Sequence, residues 1–400
     1  MQPSEFYFFA INIATLTLLG FNASLLITKK AQNFGYASLA CCFIAIAIVI
    51  CQPSLELLAP DWRQTQLIVS LPALLMIAPS FWFYIKSLTA QSKWTLTKQD
   101  NWHFALPSIG LFISLFTLIL PSEIQHGLLV DGDDVVLESV SPLLRYSVYA
   151  GLIITFLLVI GWVIQSAFYV VKTTVRLKRY RTHLKDIFAT TERKEMSWLT
   201  ALALLVGIPW GLFAINLTLN NLLFPSEMYT PFSSLLLLIA VTFLAAWALR
   251  QKPGFEEIFD DVSKGGDPSV FSAKQNKYKT SALSEDNLKH IANKLENAMQ
   301  QKQLYLNAAL SLPVLAKSIN TSPNYISQTL SERLNVNFFD YINGYRVKHA
   351  QSEITSSNKT VLDIAMDAGF NSKSAFYTAF KKHTGVTPIN YRKQSNTENN

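Results

Sequence analysis

Half of the 400 residues are apolar and only 15% are charged, a balance that is high in apolar residues for a soluble protein and, at this length, allows two or three domains. The net charge of +7 is unevenly placed: Lys and Arg exceed acids between Lys277 and Lys393, which favours a polyanion such as DNA, while Pro253 to Gln275 is acidic. Cys41, Cys42 and Cys51 all fall in one apolar run and the histidines are scattered, which excludes a disulfide framework and offers no metal-ligand spacing.

The apolar residues crowd into the part before Lys252. A span needs about twenty apolar residues, and on that measure seven transmembrane helices are expected: Phe6 to Thr28, Tyr36 to Leu55, Leu67 to Leu88, Phe104 to Leu120, Tyr146 to Val171, Trp198 to Leu219 and Phe232 to Leu249. The first lacks a basic start and a small-residue cleavage site, so it reads as a retained span. Lysines and arginines gather in the odd-numbered connections, at Lys29 and Lys30, at Lys86, Lys93 and Lys98, and from Lys172 to Lys194. The even-numbered connections hold mostly acids. By the positive-inside rule the N-terminus lies outside the cell and the chain after the seventh span lies in the cytoplasm.

Pro72, Pro79 and Pro209 are expected to kink their spans, and Asn12, Asn22 and Asn216 to bond across helices. The connection from Pro121 to Arg145 carries the acidic run V-D-G-D-D, which reads as an ordinary outer surface or as a site for a cation or peptide. No charged pair falls inside a span, which argues against ion transport. No HExxH or GxSxG arrangement occurs, and no catalytic residue, metal or cofactor is expected.

From Pro253 to Ser281 the sequence turns polar and broken, with Gly265, Gly266 and Pro268, and reads as a flexible linker. After it, Leu288, Ile291, Leu295 and Ala298 mark the inner face of an amphipathic helix. Ser311 caps a helix that places Val314, Leu315, Ala316 and Ile319 inside. Ser322 then caps the next, with Pro323 at its first position, and Ile326, Leu330 and Leu334 are buried. A long helix from Phe338 to Ile354, with Phe338, Tyr341, Ile342, Tyr345 and Ala350 on one side, leads to a second helical pair.

In that pair Thr360 and Asp363 have capping-box spacing. Val361, Leu362, Ile364, Ala365 and Ala368 supply the buried side of its first helix, and Gly369 suits a left-handed helix end. Asn371 or Ser372 caps the last helix, whose inward stripe is Ala375, Phe376, Ala379 and Phe380. Lys373, Ser374, Thr378 and Lys381 are left on its outer face, and these groups bond bases or phosphates. Two helix-turn-helix units joined by a connecting helix would place two recognition helices about 34 Å apart, in successive major grooves.

Residues Lys279 to Arg392 resemble the DNA-binding domain of the AraC/XylS transcriptional regulators. The stretch G-F-N-S-K-S-A-F-Y-T-A-F-K-K-H-T-G-V-T-P-I-N-Y-R is similar to that family's signature almost throughout. The resemblance implies that Asn324, Ser327 and Gln328 in the first unit, and Lys373, Ser374 and Thr378 in the second, face DNA. Gln328 suits an adenine edge, and Lys373 suits guanine or phosphate. Asn335 stands where the family commonly has glycine, and asparagine tolerates the left-handed backbone. Soluble members often carry a β-rich ligand pocket, whereas the seven spans here resemble the membrane-embedded AraC-type regulators of bacteria.

The expected fold is therefore all-α. A seven-span sensor bundle occupies residues 1–252, a cytoplasmic linker 253–281, an AraC-type domain with two helix-turn-helix units 282–393, and a disordered tail 394–400. The expected function is that of a one-component transcription factor in the bacterial inner membrane, not an enzyme. Its expected partners are double-stranded promoter DNA, the lipid bilayer, RNA polymerase, a second copy of the chain and a signal ligand of unspecified chemistry. The alternative is a seven-span receptor or transporter-like protein whose helical tail docks a protein partner.

Overall fold

The computed structural model describes residues 3–29, 33–90, 94–132, 135–191, 231–250 and 283–398. Among these the chain is helix, turn and loop, with one antiparallel bridge between Phe188 and Ser311. It divides into two compact units, Met1–Arg176 with Ser197–Glu256, and Leu177–Met196 with Glu257–Asn400.

The first unit contains α1 (Pro3–Thr28), α2 (Phe34–Ile50), α3 (Gln52–Leu58), α4 (Arg63–Leu88), α5 (Ala105–Ile119), α6 (Ser122–His126), the first part of α7 (Pro142–Ile187) and α8 (Pro231–Arg250). Among the described residues four helical stretches are long and apolar enough to cross a membrane: Phe6–Thr28, Pro60–Leu88, Lys98–Ile119 and Pro142–Ile187. A fifth candidate is the pair α2 and α3, bent by 54° at Cys51. Helix α8 is apolar over the shorter stretch Ser234–Ala248. The sixth expected span, Trp198 to Leu219, lies outside the described residues together with Pro209, Asn216 and the linker 253–281.

The bend at Cys51 has a local cause, because Pro53 has no amide hydrogen to continue the ladder from α2. Carbonyls near the break find side-chain donors instead. Asn12 Nδ2 donates to Ile50 O at 2.8 Å, Gln66 Nε2 donates to Ile48 O at 2.9 Å, and Ser54 Oγ donates to Asn12 Oδ1 at 2.5 Å. Asn12 thus bonds across helices as expected, whereas Asn22 donates to Leu18 O within its own helix. Helix α4 continues through Pro72 and Pro79. Gly110 of α5 lies against it there, and a Cβ at that position would meet Leu75 Cδ1 at 2.7 Å. The acidic connection is partly folded: Leu120, Ile124, Leu137 and Val148 share a small core, and Arg145 donates to the carbonyls of Leu137 and Glu138.

The second unit consists of the end of α7 with residues 188–191, then α9 (Glu285–Gln300), α10 (Leu312–Ser318), α11 (Pro323–Glu332), α12 (Phe338–Ser356), α13 (Val361–Asp367), α14 (Lys373–Thr384) and α15 (Pro388–Glu398). It has two cores. One gathers Leu295, Met299, Leu315, Ala316, Ile326, Leu330, Phe338 and Ile342, together with Ala189 from the segment after α7. The other gathers Val347, Ala350, Ile354, Ile364, Ala365, Phe376 and Phe380. Helix α12 therefore enters both, with its first half in one core and its second half in the other.

Caps set the helix starts. Ser284 accepts from Asn287 N, Asn337 from Asp340 N, Thr360 from Asp363 N and Ser372 from Ala375 N. Ser311 and Ser322 occupy cap positions without a side-chain cap bond. Helix α15 continues to Glu398, beyond the expected domain end at 393, since Gln394 to Glu398 contains no proline or glycine to stop it.

Two core expectations are corrected. Val314 is 48% exposed and Leu362 is 46% exposed. Each lies in a seven-residue helix, and helices that short bury only the side turned toward α12 or its neighbour. Leu315, Ala316, Ile364 and Ala365 take that side.

Candidate nucleic-acid interface

Each helical pair turns through a left-handed residue. In the first, Asn320 has φ +50, and the loop after α11 turns at Asn335 with φ +55, the conformation that asparagine tolerates best after glycine. In the second, Gly369 has φ +88 and an added Cβ would lie 2.7 Å from Leu306 O and 2.8 Å from Tyr305 O. That position therefore excludes a side chain by backbone conformation and by space. Gly369 N donates to Met366 O and Phe370 N to Ala365 O, which closes α13 and turns Phe370 into the core.

Helix α14 presents the expected polar face. Lys373, Ser374, Thr378 and Lys381 are all exposed, while Phe376, Ala379 and Phe380 are buried. Lys373 stands at the first position of the helix with its Nζ 5.4 Å from the centre of the Tyr377 ring. Lys382 Nζ lies 2.6 Å from Asp340 Oδ1, joining the end of α14 to the start of α12. His383, next to it, is held below its usual pKa by burial first, then by the charges of Lys382 and Lys348, with Asp340 opposing.

Helix α11 differs. Asn324 and Ser327 are half-buried, but Gln328 is only 4% exposed, with its Nε2 donating to Glu332 Oε1 and Oε2 at 3.2 and 3.0 Å. The residue expected to read an adenine edge is therefore turned along its own helix onto an acid one turn later. Tyr325, which the sequence reading passes over, is 41% exposed on this helix. Its signal is its place directly beside Asn324, where an exposed aromatic ring offers a face for stacking or an O–H for phosphate. The structure thus brings the four α14 residues onto one open face, and leaves Gln328 closed.

A second residue missed by the sequence reading is Arg346, fully buried in α12. Nε donates to Tyr305 O at 2.7 Å and Nη2 to Asn307 O at 2.9 Å. Nη1 reaches Thr190 Oγ1 at 3.1 Å, and Ala189 O and Asn343 Oδ1 at 3.4 Å. Burial pulls its pKa down to about 10, so the group remains charged at neutral pH. Among the described residues no metal-binding cluster occurs.

Residues 315–394 match the model of a family described as a helix-turn-helix domain. Over 112 residues the chain is 31% identical to an uncharacterised HTH-type transcriptional regulator of Staphylococcus aureus (strain COL), covering 28% of this chain and 14% of that one. It is 33% identical over 87 residues to the melibiose operon regulatory protein of Escherichia coli (strain K12), covering 22% and 29%. Among solved structures, a protein of unknown function from Listeria innocua is 32% identical over 26% of this chain and 94% of its own, with a TM-score of 0.23. The C-terminal domain of AraT, a response regulator from Geobacillus stearothermophilus, is 26% identical over 28% and 88%, with a TM-score of 0.24. The chain spans only 14% of the length of the Staphylococcus aureus regulator and 29% of the Escherichia coli one. Its C-terminal part is a helix-turn-helix domain of the kind found in transcriptional regulators.

Proposed function

We propose that the chain is a membrane-bound one-component transcription factor of the AraC type. Its apolar helices form a seven-span sensor in the bacterial inner membrane, with the N-terminus outside the cytoplasm. Its C-terminal unit binds promoter DNA through both helix-turn-helix units. RNA polymerase and a second copy of the chain are its further protein partners, and a signal ligand acts on the membrane part.

The observation that carries the DNA-binding reading is the exposed face of Lys373, Ser374, Thr378 and Lys381 on a helix whose opposite face is closed by Phe376 and Phe380. Cations and hydroxyls at these positions suit phosphate and base edges. The four long apolar helices and the bent pair support the membrane reading, as does the crowding of Lys and Arg in alternate connections.

Genome-wide occupancy mapping of the intact protein, paired with membrane fractionation of the same cells, tests both parts. The expected result is a set of sharp promoter-proximal peaks from a protein that sediments with membranes. Absence of peaks would contradict the DNA-binding part, and recovery in the soluble fraction would contradict the membrane part.

A further inference from the structure

The end of α7 and the segment that follows it both belong to the second unit. Phe188 pairs with Ser311 in an antiparallel bridge, and Ala189 N donates to Leu310 O at 3.2 Å. Thr190 Oγ1 donates to Ala308 O at 3.3 Å. Ala189 is 1% exposed within the first core. One turn earlier, Lys185 Nζ lies 5.6 Å from the centre of the Phe339 ring, at the start of α12.

We propose that the backbone edge of Ala308 to Ser311 is a docking site for Phe188–Thr191, and that Arg346 couples occupancy of this site to the spacing of the two helix-turn-helix units. This goes beyond the transcription-factor reading and rests on it for its consequence at DNA.

A buried guanidinium is costly unless its donors are filled, and Arg346 has no carboxylate among the partners described above. Two of the three acceptors of Nη1, Ala189 O and Thr190 Oγ1, come from the docked segment. With the segment unseated, Nη1 keeps only Asn343 Oδ1 at 3.4 Å. Undocking therefore costs the bridge to Ser311, the bonds to Leu310 and Ala308 and the burial of Ala189, and it also strips Arg346 of two acceptors.

That side chain joins the connecting helix to the stretch before the first unit and to the turn of the second. It stands on the connecting helix α12. It holds the backbone of Tyr305 and Asn307 at the entry to the first unit. Its guanidinium lies 5.6 Å from the centre of the Phe370 ring, in the turn of the second unit. The carbonyls of Tyr305 and Leu306 are also the atoms that crowd Gly369. Moving Arg346 thus shifts the stretch 305–307 against the second turn and changes how the two units sit on α12.

Two recognition helices gain from each other only when their spacing matches successive grooves. The docked state is the one that fixes the spacing. Because α7 runs unbroken to Ile187 and leads directly into the docked segment, displacement of α7 along or about its axis acts on the seat, independently of the linker at 253–281.

The test uses the full chain in lipid-bilayer discs with Cys41, Cys42 and Cys51 replaced by Ala. One variant adds Phe188→Cys with Ser311→Cys, a cross-strand pair whose Cβ atoms lie about 4.5–5.5 Å apart in antiparallel geometry, close enough for a disulfide after small adjustment. Another carries Thr190→Val, which removes one acceptor of Arg346 and the donor to Ala308 O without placing a charge in the core. The DNA probes are a duplex selected by the full chain and the same duplex with one half-site scrambled. The disulfide is expected to form on mild oxidation, and the oxidised protein to keep its full-site affinity. Thr190→Val is expected to weaken full-site binding by about tenfold, with single-half-site binding unchanged. The proposal is overturned if the disulfide does not form, if Thr190→Val leaves full-site binding intact, or if it weakens both duplexes equally. Failure to select any duplex would strike the transcription-factor reading, and disulfide formation would still decide the docking.

Discussion

Gln328 donates from Nε2 to both carboxylate oxygens of Glu332, at 3.2 and 3.0 Å. The pair lies one turn apart on α11, so it forms within the helix without help from the rest of the domain. It withdraws an amide from the surface and leaves a negative charge on the helix proposed to approach phosphate. Glu332→Ala is therefore expected to tighten DNA binding by about 1 kcal/mol, measured by equilibrium titration. Glu332→Ala also frees the Gln328 amide, so adding Gln328→Ala to it is expected to relax discrimination at one base pair, costing about 1–3 kcal/mol against the matched site. Unchanged affinity in the first variant together with unchanged specificity in the second would remove α11 from base readout.

Lys373 lies at the start of α14, with its ammonium over the Tyr377 ring and its side chain exposed. A cation at a helix N-terminus, where backbone amides also point outward, is placed for a phosphate. Lys373→Ala is expected to weaken binding to all sequences alike and to lower the slope of log affinity against log salt by about one. Loss confined to one sequence would assign Lys373 to a base instead.

Gly369→Ala is expected to destabilise the domain by about 2–4 kcal/mol, combining left-handed strain with overpacking against Tyr305 O and Leu306 O. Urea denaturation reads this directly. Gly385→Ala, where φ is +81 and nothing lies within 4 Å of the added Cβ, carries only the strain and is expected to cost about half as much.

His383 has its folded-state pKa lowered by burial, then by Lys382 and Lys348, with Asp340 opposing. The unfolded state therefore binds the proton more readily than the folded one. Its contribution is present above the ordinary histidine pKa and is lost as pH falls through that value toward the lowered one. The stability of the DNA-binding unit is expected to decline from neutral pH into the mildly acid range, and His383→Gln to make that decline shallower. An identical pH slope in the variant would contradict the assignment.

A chain that begins at Leu283 lacks Ala189 and two of the acceptors of Arg346. Its stability is expected to fall by about 1–3 kcal/mol relative to a chain that retains residues 177–191. A peptide of residues 183–191 is expected to raise its melting temperature in proportion to the logarithm of concentration. No response to the peptide would mean that the segment contributes nothing once detached.

Cap chemistry was legible in the sequence because it is local. Thr360 and Ser372 each meet an amide three residues on, whereas Ser311 and Ser322 take the cap position without that bond, and Gly369 marks its own turn. The open face of α14 was legible for a related reason, since a twelve-residue helix is long enough for its apolar stripe to define the opposite side. In the seven-residue helices α10 and α13 the stripe is too short to do so, and Val314 and Leu362 were placed on the wrong face. Gln328 looks open by position, and only the rotamer shared with Glu332 closes it. Arg346 was not legible as a buried hub, because an arginine in a basic domain reads as a solvated or phosphate-facing cation. Its partner Ala189 is 157 positions away, on the far side of the last two expected spans.

The central claim is that both helix-turn-helix units of this chain read DNA together. Selection from a random duplex pool by the full chain in lipid-bilayer discs, followed by footprinting of the winners, tests it most directly. The account predicts two protected half-sites on one face of the duplex, about 10–10.5 base pairs centre to centre, with specific binding retained at physiological salt. Failure to enrich any sequence, with binding that disappears uniformly as salt is raised, would contradict it.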